Sequence, residues 1–332
     1  MTAELGAFSA AIEAGESVRG TTSPNPPVGC AIVSASGALI ATGATSPAGG
    51  PHAEVNALEQ AGERARGATA VVTLEPCNHT GRTGPCSQAL VEAGIRRVVY
   101  FTADPNDAAA GGAEYLRSHG VEVDFQPVRI AALQPWLRSV RHNRPSVTLK
   151  FASTLDGFTA AADGTSKWIT GDEARELTHE DRAKLDAIIV GTGTAIADDP
   201  SLTARFPDGT LRGHQPRRVV VGTREVPEGN LTRLGFEQYA TPQEALTALW
   251  NTGARDVLVE GGATLAASFL EQDLVDAVQA YIAPALLGAG RGVLDRAIAG
   301  TIADARRFRT TLVQPVGGDV FIEMERDVYG TR

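Results

Sequence analysis

The interpretation of the N-terminal fold rests on three segments, Pro51-His52-Ala53-Glu54, Glu75-Pro76-Cys77 and Pro85-Cys86. One imidazole and two thiolates supply three ligands to Zn²⁺, and a catalytic zinc site keeps its fourth tetrahedral position for water. The eight residues between Cys77 and Cys86 must form a loop that leaves the metal and returns to it. We therefore predict a zinc centre whose ligands are His52, Cys77 and Cys86.

Glu54 is the predicted proton carrier of this centre. It follows His52 by two residues, so its carboxylate can exchange protons with a zinc-bound water whose pKa is lowered to about 7. His52 and Cys86 both fall at predicted helix N-termini, where the helix dipole favours negative charge. A purely structural zinc site, or two free thiols near a surface histidine, are the alternatives. The zinc-deaminase signature H-x-E…P-C-x-x-C, present here except for the cysteine spacing, favours catalysis.

Composition indicates an acidic globular protein with more than one domain. The chain has 332 residues, of which 43% are hydrophobic and 21% charged, enough to bury a sizeable core in each of two domains. The net charge of −9 repels phosphate backbones and argues against non-specific nucleic-acid binding.

The cysteines indicate a reducing compartment. There are only three, and an odd, sparse set does not suit a secreted disulfide framework. Cys30 lies in an apolar strand pattern and is predicted to be a buried core thiol. No run reaches the roughly 18 apolar residues of a membrane span, and no signal peptide opens the chain. We expect an unprocessed cytoplasmic protein without a membrane partner.

Short β-branched runs alternate with helical patterns, which is typical of an α/β layer fold. In the first half, strands are predicted over 29–34, 39–43, 70–74, 97–102 and 121–125, and helices over 51–66, 86–93 and 128–141, with another ending at 119. Pro145 disfavours helical geometry at Arg144 and marks the boundary. The predicted domains are 1–144 and 145–332.

The second half opens with a strand pattern at Val147–Phe151 and an Asp156-Gly157 turn. Thr170 and Glu173 have the spacing of a capping box, which predicts a helix to about Leu185. Further strands are predicted over 187–191, 218–221, 257–260 and 278–282, with a glycine-rich turn after 191. No G-x-G-x-x-G motif follows residue 146, so a standard Rossmann fingerprint is absent.

Two glycine-containing segments, Gly191-Thr192-Gly193-Thr194 and Glu260-Gly261-Gly262-Ala263-Thr264, follow predicted strands and open predicted helices. Backbone amides at such positions can meet a phosphate because no Cβ blocks the approach. A plain tight turn is the alternative for both.

Several long segments carry a resemblance to one enzyme family. They are TTSPNPPVGC at 21–30, HAE at 52–54, TLEPCNHTGRTGPC at 73–86, KWIT at 167–170, ADDPSLTAR at 197–205 and VEGG at 259–262. Together they closely resemble the bifunctional pyrimidine deaminase/reductase of riboflavin biosynthesis, over nearly the whole chain. The resemblance implies an α/β fold with an N-terminal cytidine-deaminase-like α/β/α layer domain and a C-terminal dihydrofolate-reductase-like α/β domain.

By this resemblance, the first domain removes the 2-amino group of 2,5-diamino-6-ribosylamino-4(3H)-pyrimidinone 5′-phosphate by hydrolysis. Zinc hydroxide would attack the ring carbon, and Glu54 would carry the proton to the departing ammonia. Asn25 resembles a base-contacting residue of deaminases, although an ordinary turn residue between two prolines is the alternative. His79 and Arg82, in the loop between the cysteines, are predicted to contact the substrate.

The second domain, by the same resemblance, reduces the ribosyl group to a ribityl chain with hydride from NADPH delivered to C1′. The predicted NADPH contacts are Ser153, Trp168, Thr170, Thr194, Asp198, Thr223, Gly261, Gly262, Ala263 and Thr264. The predicted substrate contacts are Ser166, Arg182, Leu202, Arg205 and Glu260. For Trp168, packing in a core is the alternative.

Lys150, Asp198 and Glu260 are the predicted catalytic residues of the reductase, because opening and reducing the sugar both move protons. Arg182 and Arg205 supply the local positive charge that a phosphorylated sugar needs in an acidic chain. A solvated surface charge is the alternative for either arginine.

Thr223 and Arg224 are the candidates for preferring NADPH to NADH, because they follow the predicted strand that ends at Val221.

Two other functions use overlapping residues. A deaminase acting on a base in tRNA or single-stranded DNA, with an accessory domain, would need a basic groove bearing aromatic side chains. The negative net charge and the 5% aromatic content weigh against it. Intact His52, Glu54, Cys77 and Cys86 disfavour a non-catalytic zinc-binding protein. The resemblance also implies a homo-oligomer, with a dimer favoured. The small molecule that it binds would be the phosphorylated pyrimidine substrate.

Overall fold

The chain divides between Asn143 and Arg144 into two units, each with its own hydrophobic core. The structure is a computed structural model that describes residues 2–79, 84–106 and 111–326. Within these ranges every helix is too short or too polar to cross a membrane.

The first unit is built on a five-stranded sheet. Its strands are β1 (Gly29–Val33), β2 (Leu39–Ala44), β3 (Thr69–Val72), β4 (Arg97–Tyr100) and β5 (Glu122–Phe125). Its helices are α1 (Thr2–Ser17), α2 (Ala53–Ala61), α3 (Cys86–Glu92), α4 (Gly112–Ser118) and α5 (Gln134–His142), with 3₁₀ turns at Gly62–Ala65 and Ala131–Leu133. The strand order is β2-β1-β3-β4-β5; β1 is antiparallel to both neighbours and β3, β4 and β5 are parallel.

Two glycines show that helices cover both faces of this sheet. A Cβ at Gly29 would collide with the carbonyl oxygen of Ala11 on α1, and one at Gly43 would collide with the carbonyl oxygen of Ala53 on α2. Gly43 pairs with Cys30, the neighbour of Gly29 in β1, and neighbouring strand residues face opposite sides. The helices α1 and α2 therefore lie on opposite faces, which confirms the predicted α/β/α layers. Cys30 is buried in the core of this unit, as predicted.

The second unit contains an eight-stranded sheet. Its strands are β6 (Ser146–Thr154), β8 (Ala187–Gly191), β9 (Arg217–Val221), β10 (Glu237–Tyr239), β11 (Asp256–Glu260), β12 (Ala277–Ala283), β14 (Phe308–Val316) and β15 (Asp319–Arg326), and β7 (Phe158–Ala161) pairs with β13 (Gly290–Gly292) in a separate ribbon. The order is β10-β9-β8-β11-β6-β12-β15-β14, parallel from β10 to β12 and antiparallel beyond. Its helices are α6 (Asp172–Arg182), α7 (Thr192–Asp198), α8 (Asn230–Leu234), α9 (Pro242–Asn251) and α10 (Ala263–Glu271), with a 3₁₀ turn at Ile302–Asp304.

The two faces of the large sheet differ in polarity near its centre. Lys150 on β6 is the register partner of Glu260 on β11 and of Gln279 on β12, so all three side chains lie on one face. The neighbouring positions Leu149 and Val259 are buried in the apolar core on the other face. The polar face therefore carries Lys150 and Glu260, two of the predicted catalytic residues.

Several local predictions were wrong. The capping box at Thr170 is absent, because α6 begins at Asp172 with Gly171 as its N-cap and the backbone NH of Gly171 donates to Asp319 at 2.7 Å. After 191 the chain forms the helix α7, which was predicted to open there, in place of the glycine-rich turn that was also predicted. The helix α2 ends at Ala61 and continues as a 3₁₀ turn, short of its predicted end.

The edge strands of the eight-stranded sheet, β10 and β14, were not predicted. β14 is the last strand of its sheet and is largely exposed, with Pro315 within it. An exposed edge strand needs no continuous apolar run, and proline is tolerated there. Its partner β15 was missed with it, because three of its eight residues are acidic and leave no long apolar run.

Candidate active sites

The predicted metal ligands converge in the first unit. His52 is the N-cap residue of α2, Cys86 is the first residue of α3, and Cys77 lies in the loop that follows β3. The Nδ1 atom of His52 lies 3.6 Å from the Sγ of Cys77 and 3.3 Å from the Sγ of Cys86. All three donor atoms lie within 4.8 Å of one another.

These separations fit a tetrahedral zinc ion, whose nitrogen and sulfur ligands stand about 3.5–3.8 Å apart. The backbone NH of Cys86 donates to the Sγ of Cys77 at 3.5 Å, an outer contact that favours a thiolate. A hydrogen bond from the side chain of Cys86 outweighs burial and, together with the hydrogen bonds from His52 and from the backbone NH of Cys86, lowers the pKa of Cys77 to about 4. The donor set therefore suits Zn²⁺ and leaves a ligand position for a reactant.

Glu54 lies in the first turn of α2 and is only 4% exposed. Burial, followed by the negative charge on Cys77, raises the pKa of its carboxyl group to about 7. A carboxyl group with a pKa near neutrality can both accept and donate a proton. Its place beside the donor set suits the proton transfer predicted for it.

The predicted substrate contacts of the first unit lie in two loops. Asn25 is half-buried in the loop before β1, where the indole NH of Trp136 donates to the carbonyl of Pro24 at 3.1 Å. His79 is exposed. Arg82 lies outside the described residues.

Two carboxylates near the ligands, the buried Glu75 and the half-buried Asp104, were not predicted. Glu75 accepts a hydrogen bond at 3.1 Å from the backbone NH of Ala113, in the first turn of α4. Burial raises the pKa of Asp104. The negative charges of Glu75 and Cys77 raise it further, and the charge of His79 lowers it. Glu75 could have been found from its place two residues before Cys77. Nothing in the local sequence points to Asp104.

A mostly buried ion cluster marks the second unit. The Nε and Nη2 atoms of Arg182 donate to the two carboxylate oxygens of Glu260 at 2.8 and 2.7 Å. The Nζ atom of Lys150 lies 4.0 Å from Glu260. Burial alone would raise the pKa of Glu260, but Arg182 and Lys150 lower it to about 2. The structure thus brings two predicted catalytic residues together with a predicted substrate contact.

This cluster continues to Arg205 through a histidine that was not predicted. Arg182 donates to the carbonyl of Thr203 at 3.1 Å, and His179 lies between that carbonyl and Arg205. Leu202, buried in the same segment, has a positive φ of 49°. The spacing of three between His179 and Arg182 on a helix was the available signal.

The glycine segments meet at the carboxyl ends of neighbouring strands. A Cβ at Gly261 (φ 136°) or Gly262 (φ 57°) would lie 3.2 or 3.1 Å from the Oγ1 of Thr194. The Nε of Arg224 donates to the Oγ1 of Thr192 at 3.3 Å. Helix starts, an open backbone and a nearby cation together fit a dinucleotide phosphate.

The remaining predicted residues of the second unit differ in how far their side chains are exposed to solvent. Ser153 is buried, Thr170 and Ala263 are half-buried, and Ser166, Thr223 and Thr264 are exposed. Trp168 is 69% exposed with the Arg175 guanidinium 4.4 Å from its ring centre, so the alternative in which it packs in a core is wrong. Asp198 is exposed at the end of α7, and among the described residues it makes no ion pair with Lys150 or Glu260.

Comparison with known proteins gives a separate family match in each of the two units. The family described as "Cytidine and deoxycytidylate deaminase zinc-binding region" matches residues 2–102, and "RibD C-terminal domain" matches residues 145–321. The riboflavin biosynthesis protein RibD of Corynebacterium ammoniagenes is 60% identical over 307 residues, covering 90% of this chain and 91% of that protein. The chain belongs to the RibD family.

Other RibD relatives agree over almost the full length. RibD of Mycobacterium tuberculosis is 45% identical, covering 96% of each chain. A crystal structure from Thermotoga maritima, a diaminohydroxyphosphoribosylaminopyrimidine deaminase/5-amino-6-(5-phosphoribosylamino)uracil reductase, is 32% identical with a TM-score of 0.87, covering 98% of this chain and 99% of that one. RibD of Acinetobacter baumannii is 38% identical with a TM-score of 0.83, covering 98% of this chain and 99% of that one.

Membership of the RibD family makes the chain a bifunctional enzyme of riboflavin biosynthesis, with a zinc-dependent deaminase and an NADPH-dependent reductase. Its cofactors are Zn²⁺ and NADPH. A nucleic-acid base deaminase is not favoured, because the RibD reductase domain occupies the second half of the chain.

Proposed function

We propose that the chain acts twice on one phosphorylated pyrimidine. It first deaminates 2,5-diamino-6-ribosylamino-4(3H)-pyrimidinone 5′-phosphate by hydrolysis, and it then reduces the ribosyl group of the product to a ribityl chain. The name of the T. maritima relative, which contains both activities, supports this order. The observation that carries the first step is the convergence of His52, Cys77 and Cys86 beside the buried Glu54.

In the deaminase, His52, Cys77 and Cys86 would hold the zinc ion, which when bound supplies a Lewis acid that activates water. Glu54 accepts the proton of the attacking water and delivers it to the amino nitrogen that leaves as ammonia. A pKa of about 7 lets the same carboxyl group perform both transfers.

The substrate contacts assigned to the deaminase are Asn25, His79 and Arg82. Asn25 would face the base, which suits its half-buried place in the loop before β1. His79 and Arg82 lie between the two predicted cysteine ligands, and both are close to those ligands in the sequence.

The variant Glu54→Ala tests this role. We expect it to bind one zinc ion per chain, measured by atomic absorption, and to lose deamination by about 10²- to 10⁴-fold, the usual contribution of a general acid–base group. Glu59→Ala, an exposed glutamate later on the same helix, is the matched control and should retain both. Full ammonia release by Glu54→Ala would contradict the mechanism.

In the reductase, the carrying observation is the cluster of Lys150, Arg182 and Glu260 on the polar face of the sheet. NADPH, when bound, supplies the hydride that reaches C1′ of the sugar. Lys150, Glu260 and Asp198 are assigned either to orienting the sugar hydroxyls or to moving the protons that ring opening and reduction require. Arg182 is already held by Glu260, so the exposed Arg205 is the residue assigned to the phosphate.

NADPH itself would lie along the carboxyl ends of the central strands. The contacts assigned to it are Ser153, Trp168, Thr170, Thr194, Asp198, Thr223, Gly261, Gly262, Ala263 and Thr264. Thr194 and the two glycines are already adjacent, which supports a shared role at the cofactor phosphates.

Asp198→Asn tests the reductase assignment. Because Asp198 is assigned to the reductase reaction, we expect slower NADPH oxidation with the deaminated substrate and unchanged ammonia release. The side chain lies at an exposed helix end, so the loss of its charge should not disturb the fold. Asp208→Asn, an exposed carboxylate in a nearby loop of the same unit, serves as the control. Equal loss of both activities in Asp198→Asn would indicate a folding defect and contradict the assignment.

We further place the enzyme in the cytoplasm as a homodimer. All three cysteines are free thiols, which suits a reducing compartment. The edge strand β14 exposes Leu312 (42%) and Val313 (59%), an apolar edge of the kind that a second chain covers. Light scattering of the purified protein should give twice the chain mass, and the mass of one chain would refute the dimer.

A further inference from the structure

His179 is a titratable side chain that none of the steps above uses, and it lies between two predicted substrate contacts. Its Nδ1 atom lies 2.9 Å from the carbonyl oxygen of Thr203, and its Nε2 atom lies 3.2 Å from the Nε of Arg205. The same Thr203 carbonyl accepts a hydrogen bond from Arg182. His179 therefore links Arg205 to the pair formed by Arg182 and Glu260.

These contacts determine which ring nitrogen carries the proton. A carbonyl oxygen can only accept, so the proton is on Nδ1, and Nε2 of the neutral ring keeps the lone pair that accepts from Arg205. Burial, followed by the charges of Arg182 and Arg205, lowers the pKa of His179 to about 4. The ring is therefore neutral near pH 7 and remains an acceptor.

The hydrogen bond to His179 uses one edge of the Arg205 guanidinium. With Nε engaged, the two terminal nitrogens remain as the fork that binds a phosphate through two parallel hydrogen bonds. Among the described residues, only His179 accepts a hydrogen bond from this exposed guanidinium. The direction of the Arg205 side chain therefore depends on His179.

The backbone of the Arg205 segment is held separately. The NH of Ala204 donates to the Oε1 of Gln215 at 2.9 Å, and the Nε2 of Gln215 donates to the carbonyl of Ala204 at 2.6 Å. Losing one contact of His179 should thus reorient the Arg205 side chain without displacing the segment.

We propose that His179 is a positioning residue of the reductase, whose Nε2 orients the guanidinium of Arg205 toward the phosphate group of the substrate. The inference rests on the proposed function of Arg205 as the phosphate contact. His179 itself makes and breaks no bond.

Two substitutions separate the two hydrogen bonds of His179. In His179→Gln the amide reaches as far along the side chain as Nε2 does, so its oxygen can accept from Arg205. In His179→Asn the amide reaches only as far as Nδ1, so it can donate to the Thr203 carbonyl but cannot reach Arg205.

Steady-state reduction of the deaminated substrate at saturating NADPH distinguishes these variants. Loss of one hydrogen bond should raise KM in His179→Asn by about three- to tenfold with little change in kcat, while His179→Gln stays near the parent value. The reverse order, or equal KM values for both variants, would overturn the proposal, because support of the Thr203 segment alone would then explain the role of His179.

Arg205→Ala separates failure of this inference from failure of the proposed function. It should raise KM by about tenfold or more for the phosphorylated substrate but not for the same compound without its phosphate. Adding His179→Asn to Arg205→Ala should raise KM no further. An effect of Arg205→Ala without one of His179→Asn defeats only the role of His179, whereas no effect of Arg205→Ala defeats the phosphate assignment itself.

Discussion

At the scale of single residues, burial and neighbouring charge set the chemistry of ordinary side chains. Glu54 is buried and the side chain of Glu260 is only 9% exposed, yet the pKa of the first is raised to about 7 and that of the second is lowered to about 2. Arg182 and Lys150 accompany Glu260, whereas Cys77 adds negative charge beside Glu54. One carboxyl group is thereby suited to proton transfer and the other to holding a cation.

Arg224 gives a residue-scale prediction about cofactor choice. Its guanidinium lies beside Thr192 and Gly193 at the start of α7. If it contacts the additional phosphate of NADPH, Arg224→Gln should raise KM for NADPH by about tenfold or more, the value of a charged hydrogen bond, and leave KM for NADH nearly unchanged.

The measurement is initial-rate kinetics with each cofactor on the deaminated substrate. Arg233→Gln, an exposed arginine on α8 in the same unit, is the control and should change neither KM. Equal increases for NADPH and NADH in Arg224→Gln would reject a role in discrimination between them.

At the scale of elements, the deaminase centre depends on how closely α2 approaches the sheet. Gly43 on β2 lies against the backbone of Ala53 and Ala57, and the same helix begins with His52 and contains Glu54. A helix backbone cannot move aside as a flexible side chain can. Because Gly43 has no side chain, α2 can pack close to β2, and this close packing sets the position of His52.

Gly43→Ala should therefore displace α2 and disturb the zinc centre. We expect a loss of about 1–3 kcal/mol in the free energy of unfolding, as for other overpacked cores, together with weaker zinc binding and slower deamination. Urea unfolding and competition with a zinc chelator measure these effects.

Gly6→Ala is the matched control, because a Cβ there would meet nothing within 4 Å. It should be neutral or slightly stabilising, since alanine favours helix over glycine. Unchanged zinc affinity in Gly43→Ala would contradict the dependence of the centre on this close approach.

At the scale of the whole molecule, the two chemistries lie in separate units. The candidate zinc ligands belong to the unit that ends at Asn143, and the cluster of Lys150, Arg182 and Glu260 belongs to the unit that begins at Arg144. Each unit has its own core. Loss of one site should therefore leave the other working.

Removal of zinc tests this independence. Treatment with a strong chelator should abolish ammonia release, because the Lewis acid is lost, and leave NADPH oxidation with the already deaminated substrate unchanged. Adding Zn²⁺ back should restore deamination. Parallel loss of both activities on chelation would show that the metal supports the whole molecule.

Much of the fold and the metal centre could be predicted from local sequence. The strand β8 and the start of α3 follow directly from a buried β-branched run and from the proline before Cys86. The three candidate zinc ligands, whose donor atoms converge in the structure, could be named because histidine and cysteine are rare here and their chemistry is specific. Edge strands such as β14 were missed, because partial exposure removes the apolar pattern that identifies a strand.

The sequence by itself predicted the candidate zinc ligands and the candidate proton carrier, because those predictions depend on residue type and short spacing. Only the tertiary structure decided that Arg182 pairs with Glu260, 78 residues away, and that His179 lies against Arg205. Such contacts join helix, strand and loop across the polar face of the sheet. Their partners are chosen by packing in three dimensions, which no local pattern records.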